Sequence, residues 1–318
     1  MMDIAPGSDG GLSPADFHPL SDLLHLFEEE FEFTFFSLFD LDSSNMQPEH
    51  WQMIARSIYE RYNSFDGFLI LHGTDTLSYT SAALSFMLDG LNKPVVLTGS
   101  QLPLRVPASD GHNNVINSLQ LIKYHFGGVF IVFGNEVIRG TRAKKVSAFD
   151  LQAFTSVNDE PVGNIGLTIK WKNRPKIRHN TTLKLKDKLD QRVALLKIFP
   201  GFSEDFIYSC IKNDYKGIVL ESFGVGNVPG AFRSLIPAIK KATSSSIPVV
   251  IVSQCMTGAA DLSLYQVGKE ASMAGAISGG DMLPETAVVK LMWALGNFKN
   301  INKIKKVMIS NLKGEIGF

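Results

Sequence analysis

Short, uninterrupted apolar runs recur along the chain, and each is followed by a polar loop and then by a segment with helical spacing. Such runs are typical of strands that are buried on both faces of a parallel sheet. The strand, loop and helix order predicts βαβ units, in which right-handed crossovers place helices over a parallel sheet. The predicted strands are residues 67–71, 94–97, 128–133, 193–199, 217–220 and 247–252. The chain is therefore predicted to be an α/β protein.

Helical spacing and aromatic content predict the remaining elements of the first half. Trp51 and Ile58 belong to an apolar set at three- and four-residue intervals behind a proline, which a first helical turn tolerates. Further helices are predicted at 77–88 and 113–124. The Phe-rich segment 31–39 is predicted to be a strand, because aromatic residues favour strands.

The chain is long enough for two domains. Its 318 residues fit one or two domains of ordinary size. Residues 166–189 alternate and then become Lys-rich, which is typical of a β-ribbon and an exposed connection. We therefore predict an N-terminal domain at 1–165, a linker at 166–189 and a smaller α/β domain at 190–318.

Charge and cysteine content exclude several classes of protein. Lys plus Arg and Asp plus Glu both total 31, so the net charge is zero and no basic stripe suggests nucleic-acid binding. Cys210 and Cys255 lack the spacing of zinc ligands or of a disulfide framework. No run of ~18 apolar residues suggests a membrane span. These observations predict a cytoplasmic protein without a metal, a nucleic-acid partner or a membrane partner.

Three polar turns, each directly after a predicted strand, lie at residues 42–44, 72–76 and 99–101. Ligands bind outside the carboxyl ends of strands in open parallel sheets, so we expect these turns to share one edge. Hydroxyl and carboxylate side chains at helix N-termini suit a small zwitterion, since the helix dipole favours its carboxylate. The pattern predicts a polar small-molecule site.

Each of these residues also has an ordinary structural interpretation. Ser43, Ser44, Thr74 and Asp75 are residue types that typically cap helices, and capping is favoured for each turn taken alone. His72 is interpreted as a structural histidine rather than a base. Lys145 next to a Thr and an Asp would ease deprotonation of the hydroxyl. However, spacing alone does not single Lys145 out of the basic run 139–145.

The run LHGTDTLSYTSAALSFML at 71–88 strongly resembles the second signature of the cytoplasmic type I L-asparaginases. Around it, DSSN at 42–45, KPVVLTGSQLP at 93–103, GVGN at 224–227 and the QCMTG and GGDM stretches keep that family's order and spacing. The resemblance implies a two-domain asparaginase-like fold. Its larger N-terminal domain would be a flavodoxin-like parallel sheet, and its smaller C-terminal domain would also be α/β.

The resemblance also implies an activity and a set of roles. The implied reaction is hydrolysis of L-asparagine to L-aspartate and ammonia by a threonine nucleophile, without a metal or an organic cofactor. The implied assembly is a homodimer or a dimer of dimers in the cytoplasm. Thr74, Asp75 and Lys145 match the family's Thr-Asp-Lys triad, in which the lysine supplies the base that a neutral hydroxyl needs.

Further residues match the family's binding positions. Asn227 matches a residue that reaches the site of a neighbouring subunit, and Cys255 matches a cysteine of the family's allosteric site. Glu221 and Lys144 replace an arginine and a threonine there, which argues against allosteric control. The alternative for Cys255 is a small residue buried after a strand. The segment that would hold the α-amino and α-carboxylate groups of the substrate is Asp42, Ser43 and Ser44.

One departure from the family concerns its first strand. That strand ends in Thr-Gly-Gly-Thr-Ile, whose first threonine is the primary nucleophile, and the motif does not occur here. Each backbone group left unpaired inside the sheet would cost ~1 to 3 kcal/mol, against a net stability of ~5 to 15 kcal/mol. This predicts poor folding and puts the activity of the chain as written in doubt. A start site placed too far downstream is favoured over a true truncation.

Two alternative functions remain open at this point. The first is a non-catalytic relative that binds asparagine or aspartate, which the missing threonine would explain. The second is the amide-releasing subunit of a tRNA-dependent amidotransferase, whose asparaginase-like part is similar. This second alternative ranks last, because that subunit carries an extra N-terminal domain.

Overall fold

The structure is a computed structural model that describes residues 4–6, 12–14, 20–175 and 181–317. Its α-helices are α1 (Ser21–His25), α2 (Pro48–Arg61), α3 (Leu77–Met87), α4 (Gly111–Ile122), α5 (Asp205–Lys212), α6 (Ile236–Ser244), α7 (Gln266–Met273), α8 (Pro284–Asn297) and α9 (Ile301–Met308). Short 3-10 helices cover Ser43–Asn45 and Tyr62–Ser64.

The strands are β1 (Ile4–Pro6), β2 (Leu12–Pro14), β3 (Phe68–Leu71), β4 (Leu88–Asp89), β5 (Pro94–Thr98), β6 (Gly128–Phe133), β7 (Glu136–Arg139), β8 (Ala143–Lys145), β9 (Phe154–Ser156), β10 (Gly163–Ile165), β11 (Ile169–Trp171), β12 (Lys184–Leu185), β13 (Val193–Lys197), β14 (Gly217–Ser222), β15 (Val249–Ser253) and β16 (Ile277–Ser278).

The chain divides into two compact units. The first comprises Met1–Leu84, Leu88–Ser156 and Glu160–Leu185, and the second comprises Ser85–Met87, Val157–Asp159 and Lys186–Phe318. Residues 176–180, which belong to the predicted linker, lie outside the described residues.

The first unit contains a six-stranded sheet in the order β11-β10-β7-β6-β5-β3. β3, β5 and β6 are parallel, and the sheet continues in antiparallel pairs from β6 to β11. Because β5 lies between two neighbours and under helices, all of its residues are buried, as its continuous apolar sequence predicts. β8 and β9 form a separate antiparallel pair. The predicted α/β class is confirmed.

The prediction of a strand at 31–39 is wrong. The rings of Phe31, Phe33 and Phe35 stack in succession at centroid distances of 5.6 and 6.4 Å, so alternate side chains share one side. Nevertheless, these residues form no strand, and β3 is the last strand of the described sheet on this side. Aromatic content favours a strand only where a partner supplies the ladder of hydrogen bonds.

The second unit is built on a parallel sheet in the order β13-β14-β15-β16. Lys290 of α8 is completely buried and forms an ion pair of 2.6 Å with Glu315, which is also completely buried. The Lys290 ammonium also donates to the Ser310 carbonyl at 2.7 Å, and the Glu315 carboxylate accepts from backbone nitrogens. Burial lowers the pKa of Lys290, since desolvation penalises the ammonium form.

Candidate active site

The first unit brings a threonine, a carboxylate and a lysine together beyond the carboxyl end of β3. Thr74 and Asp75 lie in the loop between β3 and α3, and Lys145 is the last residue of β8. The Lys145 Nζ lies 2.8 Å from the Thr74 Oγ1 and 2.7 Å from the Asp75 Oδ1. Of the basic residues at 139–145, Lys145 is thus the one whose ammonium joins both groups. The sequence pattern alone did not make this distinction.

The site is open to solvent on its carboxylate side. The side chain of Asp75 is 60% exposed, whereas that of Lys145 is 22% exposed. The Asp75 carboxylate holds the Lys145 side chain in place through their ion pair of 2.7 Å. A hydroxyl, an amine and a carboxylate in this order are the components of an activated nucleophile.

The segment 42–44 lies directly against the loop between β3 and α3. The Ser43 Oγ accepts a hydrogen bond from the Asp75 backbone nitrogen at 3.2 Å, and the Thr76 hydroxyl donates to the Ser43 carbonyl at 2.7 Å. Ser43 is buried, whereas Ser44 is exposed. The two turns expected to share an edge of the sheet are therefore in contact.

Asp42 caps the 3-10 helix Ser43–Asn45. Its Oδ1 accepts from the Ser44 backbone nitrogen at 2.7 Å. Hydrogen bonds from Ser44 lower the pKa of Asp42, because they stabilise the ionised carboxylate. Asp42 therefore makes a helix-capping contact, which was not predicted for this residue. By contrast, the residue at the N-cap of α3 is Thr76, and its side chain makes no capping bond, so neither Thr74 nor Asp75 occupies the cap position.

His72 is committed to a buried hydrogen-bonded chain that ends one residue before Thr74. Its Nδ1 lies 2.6 Å from the Gly73 carbonyl, which can only accept, so Nδ1 carries the proton. Its Nε2 then accepts from the Thr80 hydroxyl at 2.8 Å, and this hydroxyl accepts from the Trp51 Nε1 at 3.0 Å. Burial lowers the pKa of His72 to about 4, which keeps the ring neutral. These contacts agree with a structural histidine.

Gln101 contacts Thr74 through its side chain, a role that the polar turn 99–101 did not reveal. The Gln101 Oε1 accepts from the Thr74 hydroxyl at 3.2 Å, and the Gln101 Nε2 donates to the Ala148 carbonyl at 3.0 Å. The turn is held from behind by Asp110, whose carboxylate accepts from the Gln101 backbone nitrogen at 3.0 Å. The sequence feature that could have indicated Asp110 is the position of this acidic residue directly before α4.

Gly99 allows the ends of β3 and β5 to approach closely. A Cβ at Gly99 would lie 2.3 Å from the His72 carbonyl oxygen and 3.4 Å from the Thr74 Cγ2. Real Cβ atoms do not approach backbone oxygens at the shorter distance, so a larger residue would displace one of the two loops.

Asn227 and Cys255 belong to the second unit. The backbone of Asn227 pairs with that of Phe223, since Asn227 N donates to the Phe223 carbonyl at 2.8 Å. Cys255 is an exposed free thiol, so the interpretation of a small buried residue is wrong. Its backbone nitrogen donates to the Ser253 hydroxyl at 3.0 Å, which stabilises a turn after β15 instead.

No group of three or more His, Cys, Asp or Glu side chains suited to a metal ion is found in the part of the chain that the structure describes. Within the same ranges, every helix is too short or too polar to span a bilayer.

Comparison with known proteins gives consistent matches in both halves of the chain. Residues 7–177 match the family model described as Asparaginase, N-terminal, and residues 192–308 match the one described as Glutaminase/Asparaginase C-terminal domain. An L-asparaginase from Thermococcus kodakarensis is 38% identical over 280 residues, which cover 88% of this chain and 84% of that protein. A solved structure of the thermostable L-asparaginase from the same organism has a TM-score of 0.92 at 35% identity, and the match covers 100% of this chain and 96% of that one.

A second kind of relative also matches. One subunit of the glutamyl-tRNA(Gln) amidotransferase from Pyrococcus abyssi is 38% identical over 295 residues, which cover 88% of this chain. This chain spans 66% of the length of that amidotransferase subunit. The remainder of the amidotransferase subunit has no counterpart in the match.

Proposed function

Because this chain belongs to the asparaginase family, we propose that it hydrolyses the side-chain amide of L-asparagine to give L-aspartate and ammonia. The observation that carries the proposal is the Lys145 ammonium, which lies within hydrogen-bond distance of both the Thr74 hydroxyl and the Asp75 carboxylate. An amide is a poor electrophile and a neutral hydroxyl is a poor nucleophile, so a base beside the hydroxyl is required.

In the proposed reaction, Thr74 supplies the nucleophilic oxygen. Lys145 in its amine form takes the hydroxyl proton as Oγ1 bonds to the amide carbon, and Asp75 stabilises the resulting ammonium. The proton then passes to the amide nitrogen, the carbon–nitrogen bond breaks, and ammonia leaves. The substrate is then joined to Thr74 as an aspartyl ester. One water molecule hydrolyses this ester, which releases L-aspartate and returns a proton to the Thr74 oxygen. In the alternative course of the reaction, Thr74, Asp75 and Lys145 together activate a different nucleophile or the attacking water.

Asp42, Ser43 and Ser44 are proposed to hold the α-amino and α-carboxylate groups of the substrate. The lowered pKa of Asp42 supports this role, since the carboxylate stays ionised and can pair with an α-ammonium group. Ser44 is exposed, so its side chain is accessible to a ligand. Replacing Asp42 with Asn is expected to raise KM for L-asparagine more than it lowers kcat.

The test of the proposal is ammonia release from L-asparagine by the purified chain. Lys145→Met is expected to abolish activity, and Thr74→Val is expected to do the same. Lys144→Met is the matched control, because it makes the same substitution at the adjacent position of β8. Equal losses in Lys144→Met and Lys145→Met, or full activity in Lys145→Met, would contradict the assigned roles.

Assembly and location are also proposed from the family. We expect a homodimer or a dimer of dimers in the cytoplasm, with Asn227 reaching the site of a neighbouring subunit. Light scattering during size-exclusion chromatography measures the assembly. Loss of activity in Asn227→Ala without loss of the assembly would support its role. Cys255 is proposed only as a position of an allosteric site, and the exposed thiol permits labelling to test its effect on activity.

The similarity to the amidotransferase subunit supports a second candidate, the release of ammonia for transfer to an aminoacyl-tRNA. This function predicts low activity with free asparagine and stimulation by a partner subunit with its tRNA. A third candidate, a binder without turnover, predicts heat on titration with asparagine or aspartate but no ammonia. Activity on free L-asparagine by the chain alone would decide against both.

A further inference from the structure

The side-chain amide of Gln101 has only one orientation that satisfies both of its partners. The Ala148 carbonyl can only accept a hydrogen bond, so the nitrogen of the Gln101 amide must face it, at 3.0 Å. The amide oxygen therefore faces the Thr74 hydroxyl, at 3.2 Å. An amide oxygen can only accept, so the Thr74 proton is the one that makes this hydrogen bond.

This contact determines which way the Thr74 hydroxyl faces Lys145. A hydroxyl has a single proton, and Thr74 uses it to donate a hydrogen bond to the Gln101 oxygen. The Thr74 oxygen then presents a lone pair to Lys145 Nζ, which lies 2.8 Å away and donates to it. Lys145 also donates to the Asp75 carboxylate at 2.7 Å. In the resting arrangement the Thr74 proton thus points away from Lys145.

Gln101 is held firmly enough to impose this arrangement. Its backbone nitrogen donates to both carboxylate oxygens of Asp110 at 3.0 Å, and the next backbone nitrogen, of Leu102, donates to the same carboxylate at 3.0 Å. Asp110 is 9% exposed and accepts a further hydrogen bond from Asn114 of α4 at 3.1 Å. The amide also ties the turn after β5 to the loop that follows Lys145.

We propose that Gln101 is a positioning residue that fixes the direction of the Thr74 hydroxyl proton and thereby sets the pH at which the site becomes active. The kinetic part of this inference rests on the proposed function, in which Lys145 must receive that proton. For the transfer, Lys145 must be an amine and the hydroxyl must turn from Gln101 towards it. Gln101 stabilises the resting arrangement relative to the reactive one, so its removal favours activation at lower pH.

Two substitutions at Gln101 test this role with opposite expectations. Gln101→Met keeps the length of the side chain and removes the acceptor, so the acidic limb of the pH profile of kcat/KM is expected to move down by about half to one pH unit. Gln101→Glu replaces the acceptor with a charged one, so the limb is expected to move up. Gln120→Met on α4 is the matched control and is expected to leave the profile unchanged. Shifts in the same direction, or no shift in either variant, would overturn the proposal.

A second measurement does not depend on activity. In a neutron crystal structure of the wild-type chain, the deuteron of Thr74 is expected on the line from Oγ1 to the Gln101 Oε1. A Thr74 deuteron directed at Lys145 Nζ would refute the positioning role. If the chain releases no ammonia, the proposed function fails, and this neutron structure still decides the role of Gln101.

Discussion

Replacing Thr80 with valine removes one hydroxyl and leaves the side-chain volume almost unchanged. Thr80 lies in α3 and is completely buried. Its hydroxyl accepts from the Trp51 Nε1 at 3.0 Å and donates to the His72 Nε2 at 2.8 Å. Valine would therefore leave two ring nitrogens, both inside the first unit, without these hydrogen bonds.

The expected cost follows from those two groups. A buried polar group without its partner costs ~1 to 3 kcal/mol, so Thr80→Val is expected to lower the free energy of unfolding by ~2 to 6 kcal/mol. That is a large share of the ~5 to 15 kcal/mol that stabilises an ordinary domain. Because the His72 ring also donates to the Gly73 carbonyl, one residue before Thr74, ammonia release is expected to fall as well.

Urea unfolding followed by circular dichroism measures this cost. Thr80→Ser keeps the hydroxyl and loses one methyl group, so it is expected to cost only ~1 kcal/mol. Thr168→Val makes the same change at an exposed position and is expected to stay within ~0.5 kcal/mol of the wild type. The reasoning fails if Thr80→Val unfolds within ~1 kcal/mol of the wild type, or if Thr80→Ser costs as much as Thr80→Val.

Three further predictions concern buried or crowded groups. The pKa of His72 is about 4, below its ordinary 6.5, so the unfolded chain binds more protons between these values. The contribution of His72 to the free energy of unfolding is therefore fully present above pH 6.5 and falls towards pH 4 by up to ~1.4 kcal/mol per pH unit. His72→Gln should flatten this pH dependence, which urea unfolding at a series of pH values measures. Lys290→Met leaves the Glu315 carboxylate buried without its cation and should lower the free energy of unfolding by ~3 to 5 kcal/mol. The double variant Lys290→Met with Glu315→Leu should recover part of this loss. Equal losses in the single and the double variant would refute the pairing argument. Gly99→Ala should cost ~1 to 3 kcal/mol and lower kcat, since its Cβ meets the His72 carbonyl; an unchanged crystal structure at the 72–76 loop would contradict this.

Most elements of the fold were predictable because their signals are local. The apolar runs at β5, β6 and β15 and the spacing of α2 each indicate one type of element and agree with the structure within a few residues. The failure at 31–39 has a physical reason. A strand requires a neighbouring backbone, and no property of the Phe-rich segment itself records whether that neighbour is present.

The location of the candidate site was predictable, but the hydrogen bonds between its residues were not. The turns 72–76 and 99–101 directly follow β3 and β5, so their proximity follows from topology. No strand ends directly before 42–44, so the contact of this turn with the loop at 72–76 did not follow from the sheet. Lys145 was recognised through resemblance, since its basic neighbours have the same composition. The orientation of the Gln101 amide depends on the Ala148 carbonyl, 47 positions away along the chain, and no spacing rule connects these residues.

The sequence by itself determined the α/β class, the order of strands and helices, the family, and the three polar turns from which a site is built. These properties depend on hydrophobic period and on residue type, which are written locally along the chain. Only the tertiary structure decided that the Lys145 Nζ contacts Thr74 and Asp75 at the same time, which tautomer His72 adopts, and where the Thr74 proton points. The contacts of Lys145 and of the Thr74 hydroxyl join groups far apart in sequence, and they form only once the strands have been brought together. The His72 tautomer depends on the neighbouring Gly73 carbonyl and on Thr80 of α3, whose distances to the ring are set by the fold.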